Sequence, residues 1–433
     1  MQAMRQAHSL NSAVLRSALL LVVVGCGFVG ESDPDPWLAD YALLKQHMSS
    51  VYANLEWVIE ERQLDPYELN QETLEALRRA RTRRGARKAI ERFVRAFDDP
   101  HFRVRKGSEL PTSHSDEEPP LSPRLSGSDA CKKLGFESSK LDFRLPFDML
   151  AGFERLEPES PDNPFPVGLL TLDDGRRVGF VRIAEFDERR YRRVGASTWE
   201  EFRSELEAPC DEACQWRFRR RVAERLLASL AEHARMLRAQ GVDALLIDIT
   251  RNGGGTEWAG IAPRVLTRQP LHCPPFGFVK HPHYTRRIER RVQWLTEEAA
   301  NPVVSSSTRA LVQEAVAILK TQLEAADPPC DRTALFEVAN AELDCTQLVQ
   351  ASSCGIFADP DAVVPAASKS DDAILGELFH PLDWEFAAGA WEGALLVLVD
   401  RHTASASEQF ATLLQVNQAA IVIGERTLGA GCG

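Results

Sequence analysis

LLVLVDRHTASASEQFATLLQVNQAAIVIG, residues 395–424, is the stretch that decides the fold of this chain. It opens with an apolar run at 395–399, passes through a turn of small residues at 403–407, and continues as a helix to Gln418. It then returns to an apolar run at 420–424. Continuous apolar runs predict strands that are covered on both faces of a parallel sheet. The stretch therefore predicts a strand–helix–strand unit with parallel strands.

A second stretch, LLIDITRNGGG at 245–255, also predicts a buried strand followed by a turn, here a turn of glycines. Before it, apolar spacing predicts an amphipathic helix over Cys210–Gln240, with Gly241 as its C-terminal cap. Further upstream, three strands are predicted, the last two joined by a hairpin turn at Asp173-Asp174-Gly175: Leu141–Leu145, Gly168–Leu172 and Val178–Ile183.

The rest of the chain divides by its residue pattern. From Trp37 to Phe97 apolar residues recur at helical spacing and predict a bundle of about three helices. The fold class expected is therefore α/β, a twisted sheet with helices, preceded by an N-terminal helical bundle. The units expected are a signal peptide at 1–26, the helical bundle at 27–104, a linker and small β region at 105–176, and a core at 177–433 with a disulfide-containing insertion at about 263–390.

Composition and charge limit the partners of this protein. The 433 residues are 44% hydrophobic, which is typical of a globular chain, and they carry a formal net charge of −12. Nucleic-acid binding depends on clustered cations, so no nucleic-acid partner is expected. The basic runs at 78–87 and 217–221 fall on helical segments and are interpreted as solvated helix faces.

The first 26 residues have the pattern of an export signal. Arg5 and Arg16 precede an apolar run at 18–24, which is too short to span a membrane. Val23-Val24-Gly25-Cys26 resembles a bacterial lipobox, in which the Cys is lipidated and becomes the first mature residue. We expect a periplasmic or cell-envelope lipoprotein anchored through Cys26, and an ordinary signal with a chance Cys is the alternative.

Cysteine usage agrees with export. Without Cys26 eight cysteines remain, and an even number in an exported chain predicts disulfides of open connectivity: Cys131, Cys210, Cys214, Cys273, Cys330, Cys345, Cys354 and Cys432. No Cys-x-x-Cys or His-x-x-x-His pair occurs, so no metal site is expected.

Both buried strands end in turns that suit acyl-transfer chemistry. Ser405 lies between a strand and a helix, where the free N–H groups of the helix favour a developing negative charge. The glycines at 253–255 let backbone N–H groups point into a site, and no Lys-Ser or Lys-Thr pair follows them as in a phosphate loop. Ser405 is therefore predicted to be a nucleophile, with Ser407 as the less favoured neighbour.

These two stretches resemble the tail-specific, C-terminal-processing serine peptidases. LLIDITRNGGG at 245–255 is similar to the strand–glycine motif of that family. LLVLVDRHTASASEQFATLLQVNQAAIVIGERTLGAG at 395–431 is similar to its nucleophile segment and the strand that follows. The resemblance is loose over 37–104 and good over 178–260.

The resemblance implies a crotonase-like fold and Ser405 as the nucleophile of a serine endopeptidase. It also implies that the backbone N–H groups of Gly254 and Ala406 form the oxyanion hole, that the substrates are proteins or peptides, and that no cofactor is needed. Relatives often carry a PDZ module, but 106–168 is short and rich in linker residues, so no complete PDZ is expected.

The general base departs from the processing peptidases. Their motif ends in a Lys, and Ala430 stands at that position here. Asp98-Asp99-Pro100-His101-Phe102 resembles the Asp-x-His segment of the tricorn-like branch, which uses His instead. The resemblance therefore implies a Ser–His pair with His101, and His402 is the rival. Glu408 is predicted either to orient the imidazole or to complement the helix dipole.

Two further expectations follow. Relatives continue beyond the motif that ends at Gly433, so the chain is interpreted as a fragment whose third catalytic residue could lie beyond it. The alternative function is a catalytically inactive crotonase-like binding protein for apolar ligands or protein tails, since such a protein would not need the missing Lys.

Overall fold

The computed structural model describes residues 36–99, 101–105, 120–156, 163–353, 355–357, 372–379 and 384–429. The N-terminal region is helical, with α1 Pro36–Val51, α2 Leu55–Arg62, α3 Pro66–Arg79 and α4 Arg83–Ala96. Four helices replace the three predicted because the chain breaks three times within the periodic stretch, at 52–54, 63–65 and 80–82. Gln63 takes a left-handed conformation (φ 56°), and Asp65 and Thr82 cap new helices through the backbone N–H groups of Glu68 and Gly85.

The described part of the main sheet has six strands. They are β1 Phe153–Leu156, β2 Val167–Thr171, β3 Arg177–Arg182, β4 Ala244–Asp248, β7 Ala394–Val399 and β8 Ile421–Gly424. Neighbours follow in the order β1-β2-β3-β4-β7-β8. The first three strands pair antiparallel, and β3, β4, β7 and β8 pair in parallel. This mixed sheet after a helical region confirms the predicted α/β fold class, the hairpin and the strand–helix–strand unit.

Helices cover the parallel strands, and the sheet has apolar packing on both faces. The helices of the main core are α5 Gly127–Lys133, α6 Arg192–Phe202, α7 Glu212–Ala239, α8 Trp258–Leu266 and α13 Ala406–Val416. In β4, Leu245 and Ile247 belong to the core that includes α7, α8 and α13, while Leu246 packs with Phe180 on the opposite face. Burial on both faces is the physical reason for the continuous apolar run.

The strand predicted at Leu141–Leu145 is wrong. The segment forms turns, in which the Asp142 carboxylate accepts the Phe143 N–H at 2.8 Å, and the strand comes later as β1. Local side-chain hydrogen bonds of this kind compete with strand pairing. The apolar residues are still buried, because the rings of Phe143 and Phe147 pack edge to face on the sheet with centroids 5.4 Å apart.

The region of the predicted insertion holds its own elements. These are β5 Pro275–Val279, α9 Pro282–Ala299, α10 Ser306–Ala325, α11 Ala334–Glu337, β6 Leu348–Ser352 and α12 Asp372–Leu378. β5 and β6 form a two-stranded antiparallel sheet, and most of these elements share a separate apolar core. α11 instead packs on the N-terminal helices, where Phe336 is fully buried. None of the described helices is long and apolar enough to cross a membrane.

Not all eight cysteines pair. Disulfides join Cys210 to Cys214 and Cys330 to Cys345, and Cys273 is also disulfide-bonded. Cys131 is a free thiol buried in the main core, where burial raises its pKa to about 11. It acts there as a small apolar side chain, which is why an even count could not reveal it. Cys26, Cys354 and Cys432 lie outside the described residues.

Candidate active site

The two predicted turns meet at one edge of the sheet. β4 and β7 are parallel neighbours with Asp248 opposite Leu398, so the turns that follow them leave the same edge. The Thr403 hydroxyl donates to the Ile249 carbonyl at 3.1 Å, and the Asp400 carboxylate accepts the Arg251 N–H at 2.8 Å. Ligand sites of open α/β sheets lie at the carboxyl ends of their strands. Adjacency in the sheet thus brings together motifs about 150 residues apart.

Ser405 has an unusual backbone conformation at the N-cap of α13. Its φ is 54° and its ψ is −125°, in a region that residues other than glycine rarely adopt. Its N–H donates to the Glu408 carboxylate at 2.9 Å, and its carbonyl accepts the N–H groups of Glu408 and Gln409. The backbone is therefore held firmly, and the side chain is only partly buried.

Gly254 lies directly against this turn. Its φ is 100°, and a Cβ at this position would lie 2.8 Å from the Ser405 Cβ and 2.9 Å from the Ala406 nitrogen. Such distances exclude any side chain. The glycine at 254 is therefore required both by the backbone conformation and by the close approach of the two turns.

The two backbone N–H groups predicted to form the oxyanion hole, those of Ala406 and Gly254, differ in their hydrogen bonds. Among the described residues, the Ala406 N–H donates to no acceptor. The Gly254 N–H donates to the Asn252 side-chain oxygen at 3.0 Å. Both groups lie beside Ser405, but the Gly254 N–H would have to leave or share this acceptor in order to bind an oxyanion.

Asn252 is fully buried and joins two turns. One is the glycine turn at 253–255, and the other is the turn at 403–407, called the nucleophile turn after the predicted role of Ser405. The Asn252 side-chain oxygen accepts the Ser407 hydroxyl at 2.7 Å as well as the Gly254 N–H, and its amide donates to the Ile183 carbonyl at 3.0 Å. Its backbone carbonyl accepts the Ala404 N–H at 3.0 Å. The Ser407 hydroxyl is thus buried and engaged in a structural hydrogen bond, in contrast to Ser405.

We predict that Asn252→Ala destabilises the protein by about 2–4 kcal/mol, because it leaves the buried Ser407 hydroxyl, Gly254 N–H and Ile183 carbonyl without a partner. Chemical denaturation would measure the loss. Asn301→Ala is the matched control: its exposed side chain accepts only the Val303 N–H among the described residues, at 3.2 Å, so the change should lower the stability by less than about 1 kcal/mol. Equal stability of the two variants would contradict this role of Asn252.

A buried ion pair supports the same edge. The Arg182 guanidinium at the end of β3 contacts the Asp248 carboxylate at 2.9 Å, and both side chains are fully buried. Asp248 also accepts the Thr250 N–H at 2.9 Å, while Arg182 donates to the Thr250 carbonyl at 2.9 Å. The pair fixes the first residue of the turn that leads to the glycines.

The Glu408 carboxylate is occupied by backbone groups. One oxygen accepts the Ser405 N–H, and the other accepts the Gly429 N–H at 2.8 Å. These contacts fit the predicted role of a first-turn acid at a helix N-terminus. They also fix the segment after β8 next to the nucleophile turn. That Glu408 orients an imidazole stays a prediction.

His101 lies after α4, and its side chain is about half exposed. Its backbone N–H donates to the Asp99 carboxylate at 2.8 Å, and its Nδ1 lies 3.8 Å from the same oxygen. Asp99 is buried and accepts the Tyr52 hydroxyl at 2.9 Å and the Asn54 amide at 3.3 Å. Within the described part of the chain, His101 forms no hydrogen bond with Ser405.

Arg62 connects the region of His101 to the nucleophile region. Its guanidinium donates to the carbonyls of Phe97 and Asp98 at 3.1 and 2.6 Å, and to the Leu428 carbonyl at 2.9 Å. Leu428 precedes Gly429, whose N–H is held by Glu408. The end of α4 is thus fixed near the segment that contacts the nucleophile turn.

The structure gives different outcomes for the remaining site candidates. His402 is exposed, and its N–H donates to the Asp400 carboxylate at 3.0 Å. Ala430, the position of the missing Lys, lies outside the described residues. No group of three His, Cys, Asp or Glu side chains that could hold a metal ion occurs among the residues that the structure describes.

Sequence reasoning missed the residues that position the site. Asn252 was visible as the residue before three glycines, and Asp99 as part of the Asp-x-His segment, but neither was given a role. Nothing in the sequence marked Arg62, because its partners lie 35 to 366 positions away along the chain: the carbonyls of Phe97, Asp98 and Leu428, and the Asp98 carboxylate.

Comparisons with known proteins were made for the whole chain. Residues 307–433 match the family model described as peptidase family S41. No curated protein matches. The Asn252–Gly255 turn lies outside the matched range, whereas Ser405 and Glu408 lie within it.

Three of the solved structures that match this chain all have TM-scores below 0.5. Mature CPAF complexed with lactacystin is 13% identical, with 92% of this chain and 85% of that chain covered and a TM-score of 0.48. A lipoprotein from Streptococcus agalactiae is 9% identical, with 93% and 80% covered and a TM-score of 0.30. The photosystem II D1 C-terminal processing protease is 13% identical, with 85% and 82% covered and a TM-score of 0.27. At this level of similarity, the solved structures identify neither the site residues nor the substrate of this chain.

The family match includes the second of the two stretches on which the sequence resemblance rested, with its strand, the turn of Ser405 and the helix, but not the stretch at 245–255. It confirms, over residues 307–433, the resemblance to the tail-specific, C-terminal-processing serine peptidases, and it supports a peptidase function for this chain.

Proposed function

We propose that this chain is an exported serine endopeptidase that hydrolyses protein substrates by acyl transfer through Ser405. The observation that carries the proposal is the backbone of Ser405, held at φ 54° at the start of α13 with Gly254 packed against it. Strained backbone of this kind concentrates at functional sites. It presents the hydroxyl beside a helix N-terminus, where negative charge is favoured.

The proposed reaction has two steps. The Ser405 Oγ attacks the peptide carbonyl carbon while His101 accepts its proton, and the oxyanion is held by the N–H groups of Ala406 and Gly254. The C–N bond then breaks as His101 returns the proton to the leaving amine, which leaves an acyl-enzyme. Water activated by the same imidazole hydrolyses this ester and restores Ser405.

His101 has to approach Ser405 for this chemistry. Catalytic hydrogen bonds are often long in proteins without substrate and shorten in the complex. Arg62 joins the end of α4 to Leu428, so His101 and Ser405 lie on segments that are held together, and the Asp99 carboxylate is placed to steady the imidazole. In the proposed reaction the Glu408 carboxylate accepts the Ser405 N–H in both steps, as it does in the structure.

A catalytically inactive binding protein for apolar ligands or protein tails is the second candidate. The half-exposed His101 without a hydrogen bond to Ser405 favours it, as does the engaged N–H of Gly254. The two functions differ in the reactivity of Ser405.

Labelling with a fluorophosphonate probe tests the proposal. An activated serine forms a covalent phosphonyl adduct, which peptide mass spectrometry would locate on Ser405. Absence of the adduct under conditions that label a control serine peptidase would favour the binding protein. An adduct on Ser407 would contradict the choice of nucleophile.

The proposal also includes attachment of the protein to a membrane through a lipid on Cys26. We predict that Cys26 is diacylated, because the apolar run at 18–24 leads directly into Val-Val-Gly-Cys. Expressed in a bacterium with its signal, the wild type should partition into the detergent phase, and Cys26→Ser should move to the aqueous phase. The prediction fails if both proteins partition alike.

A further inference from the structure

A cleft lies beside the nucleophile helix, between α13 and the elements of the insertion region. Its volume is about 720 Å³, within the usual range of ligand sites and large enough for several peptide side chains. Its lining includes aromatic and aliphatic side chains of β5 and α9 and polar side chains of α13: Phe276, Tyr284, Ile288, Glu408, Gln409 and Thr412.

This cleft is within reach of the scissile bond. Glu408, which accepts the Ser405 N–H, is itself part of its wall. Thr412 lies seven residues after Ser405 on the same helix, which corresponds to about 10 Å at the helical rise. An extended peptide advances about 3.3 Å per residue. A peptide bound with its carbonyl at Ser405 would therefore place a side chain about three residues away in the cleft.

The side chains that line the cleft favour a large apolar side chain of a bound peptide. Phe276 is more than one-third exposed, and the Tyr284 ring stacks on Phe278, so a flat apolar surface is presented to the cleft. Such surfaces bury large apolar side chains favourably.

The charged side chains that line the cleft differ in whether they have a partner. Arg291 is neutralised by an ion pair with Glu377, and the Glu408 carboxylate is engaged by backbone N–H groups. Arg287, one turn before Arg291 on α9, forms no ion pair or hydrogen bond with any described residue. It is therefore the cation available to an acidic side chain of a bound peptide.

We propose that this cleft is the specificity site of the peptidase and selects a bulky apolar residue, with an acidic residue next to it, within about four residues of the cleaved bond. The inference rests on the proposed function, because it assumes a peptide attacked by Ser405. It goes further by naming the residues that choose the substrate.

The test uses internally quenched peptides that carry either Phe or Ala at each position near the cleavage site. The wild type should prefer Phe at one position. Thr412→Trp fills the cleft and should reduce the Phe-to-Ala ratio of kcat/KM at least about 10-fold. Val416→Trp, one turn further on the same helix, exposed and outside the cleft, is the matched control and should leave the ratio unchanged.

A second variant covers the case in which Thr412→Trp fails to fold. Arg287 is exposed, so Arg287→Glu should fold normally and reverse a preference for Glu over Lys next to the bulky residue. A wild type that is labelled at Ser405 and cleaves peptides without preferring Phe, or an Arg287→Glu variant with the wild-type charge preference, would overturn the specificity site alone. Failure of the wild type to react with fluorophosphonate or to cleave any peptide would overturn the proposed function instead.

Discussion

Replacing Ser405 with alanine is expected to abolish hydrolysis of an unfolded protein substrate, with a loss in kcat of about 10⁴- to 10⁶-fold. Without the hydroxyl no acyl-enzyme can form, and only the oxyanion donors and substrate binding remain. The fold should persist, because alanine and serine bear the same strain at φ 54° and the hydrogen bonds that the Ser405 N–H and carbonyl form with Glu408 remain. A fluorogenic casein assay and a denaturation curve would measure the two effects.

Ser407→Ala is the matched control for this experiment. It removes a hydroxyl two residues away that is buried and donates to Asn252, so it should reduce stability but retain most of the activity at a temperature where it is folded. If Ser405→Ala keeps wild-type turnover, or if Ser407→Ala is the inactive variant with a normal fold, the assignment of the nucleophile is wrong.

The second large effect is expected from His101→Ala, which should reduce kcat by several orders of magnitude, as the loss of the base does in serine peptidases. Ala430 stands where the processing peptidases place Lys, so the proton of Ser405 must go to another group. His101 follows the buried Asp99, which is placed to orient it.

His402→Ala is the control for the base. His402 is exposed like His101, and its described hydrogen bond is made by its backbone, so its loss should change kcat by less than about 3-fold. A normal rate for His101→Ala would contradict the Ser–His pair. If both histidine variants are active while Ser405→Ala is not, the base lies elsewhere in the protein.

Much of the core could be predicted from the sequence. The apolar runs at 245–249 and 395–399 are continuous because both faces of the sheet are covered, and this signal is local. The small residues around Ser405 and the glycines at 253–255 also mark their turns locally. Failures occurred where short-range hydrogen bonds replaced strand pairing, as at Asp142, or where a buried thiol stayed unpaired, as at Cys131.

The sequence by itself determined the two buried strands that carry the candidate site, at 245–249 and 395–399, and the turns of small residues that follow them. It misplaced the first strand of the main sheet and gave no sign of β5 and β6. Only the tertiary structure decided how the site is held together. Asn252 joins two turns about 150 residues apart, and Arg62, which also holds the end of α4, donates to the Leu428 carbonyl 366 positions away. Hydrogen bonds of this kind have no periodicity along the chain, because their partners meet only through the order of strands in the sheet and the packing of the helices against it.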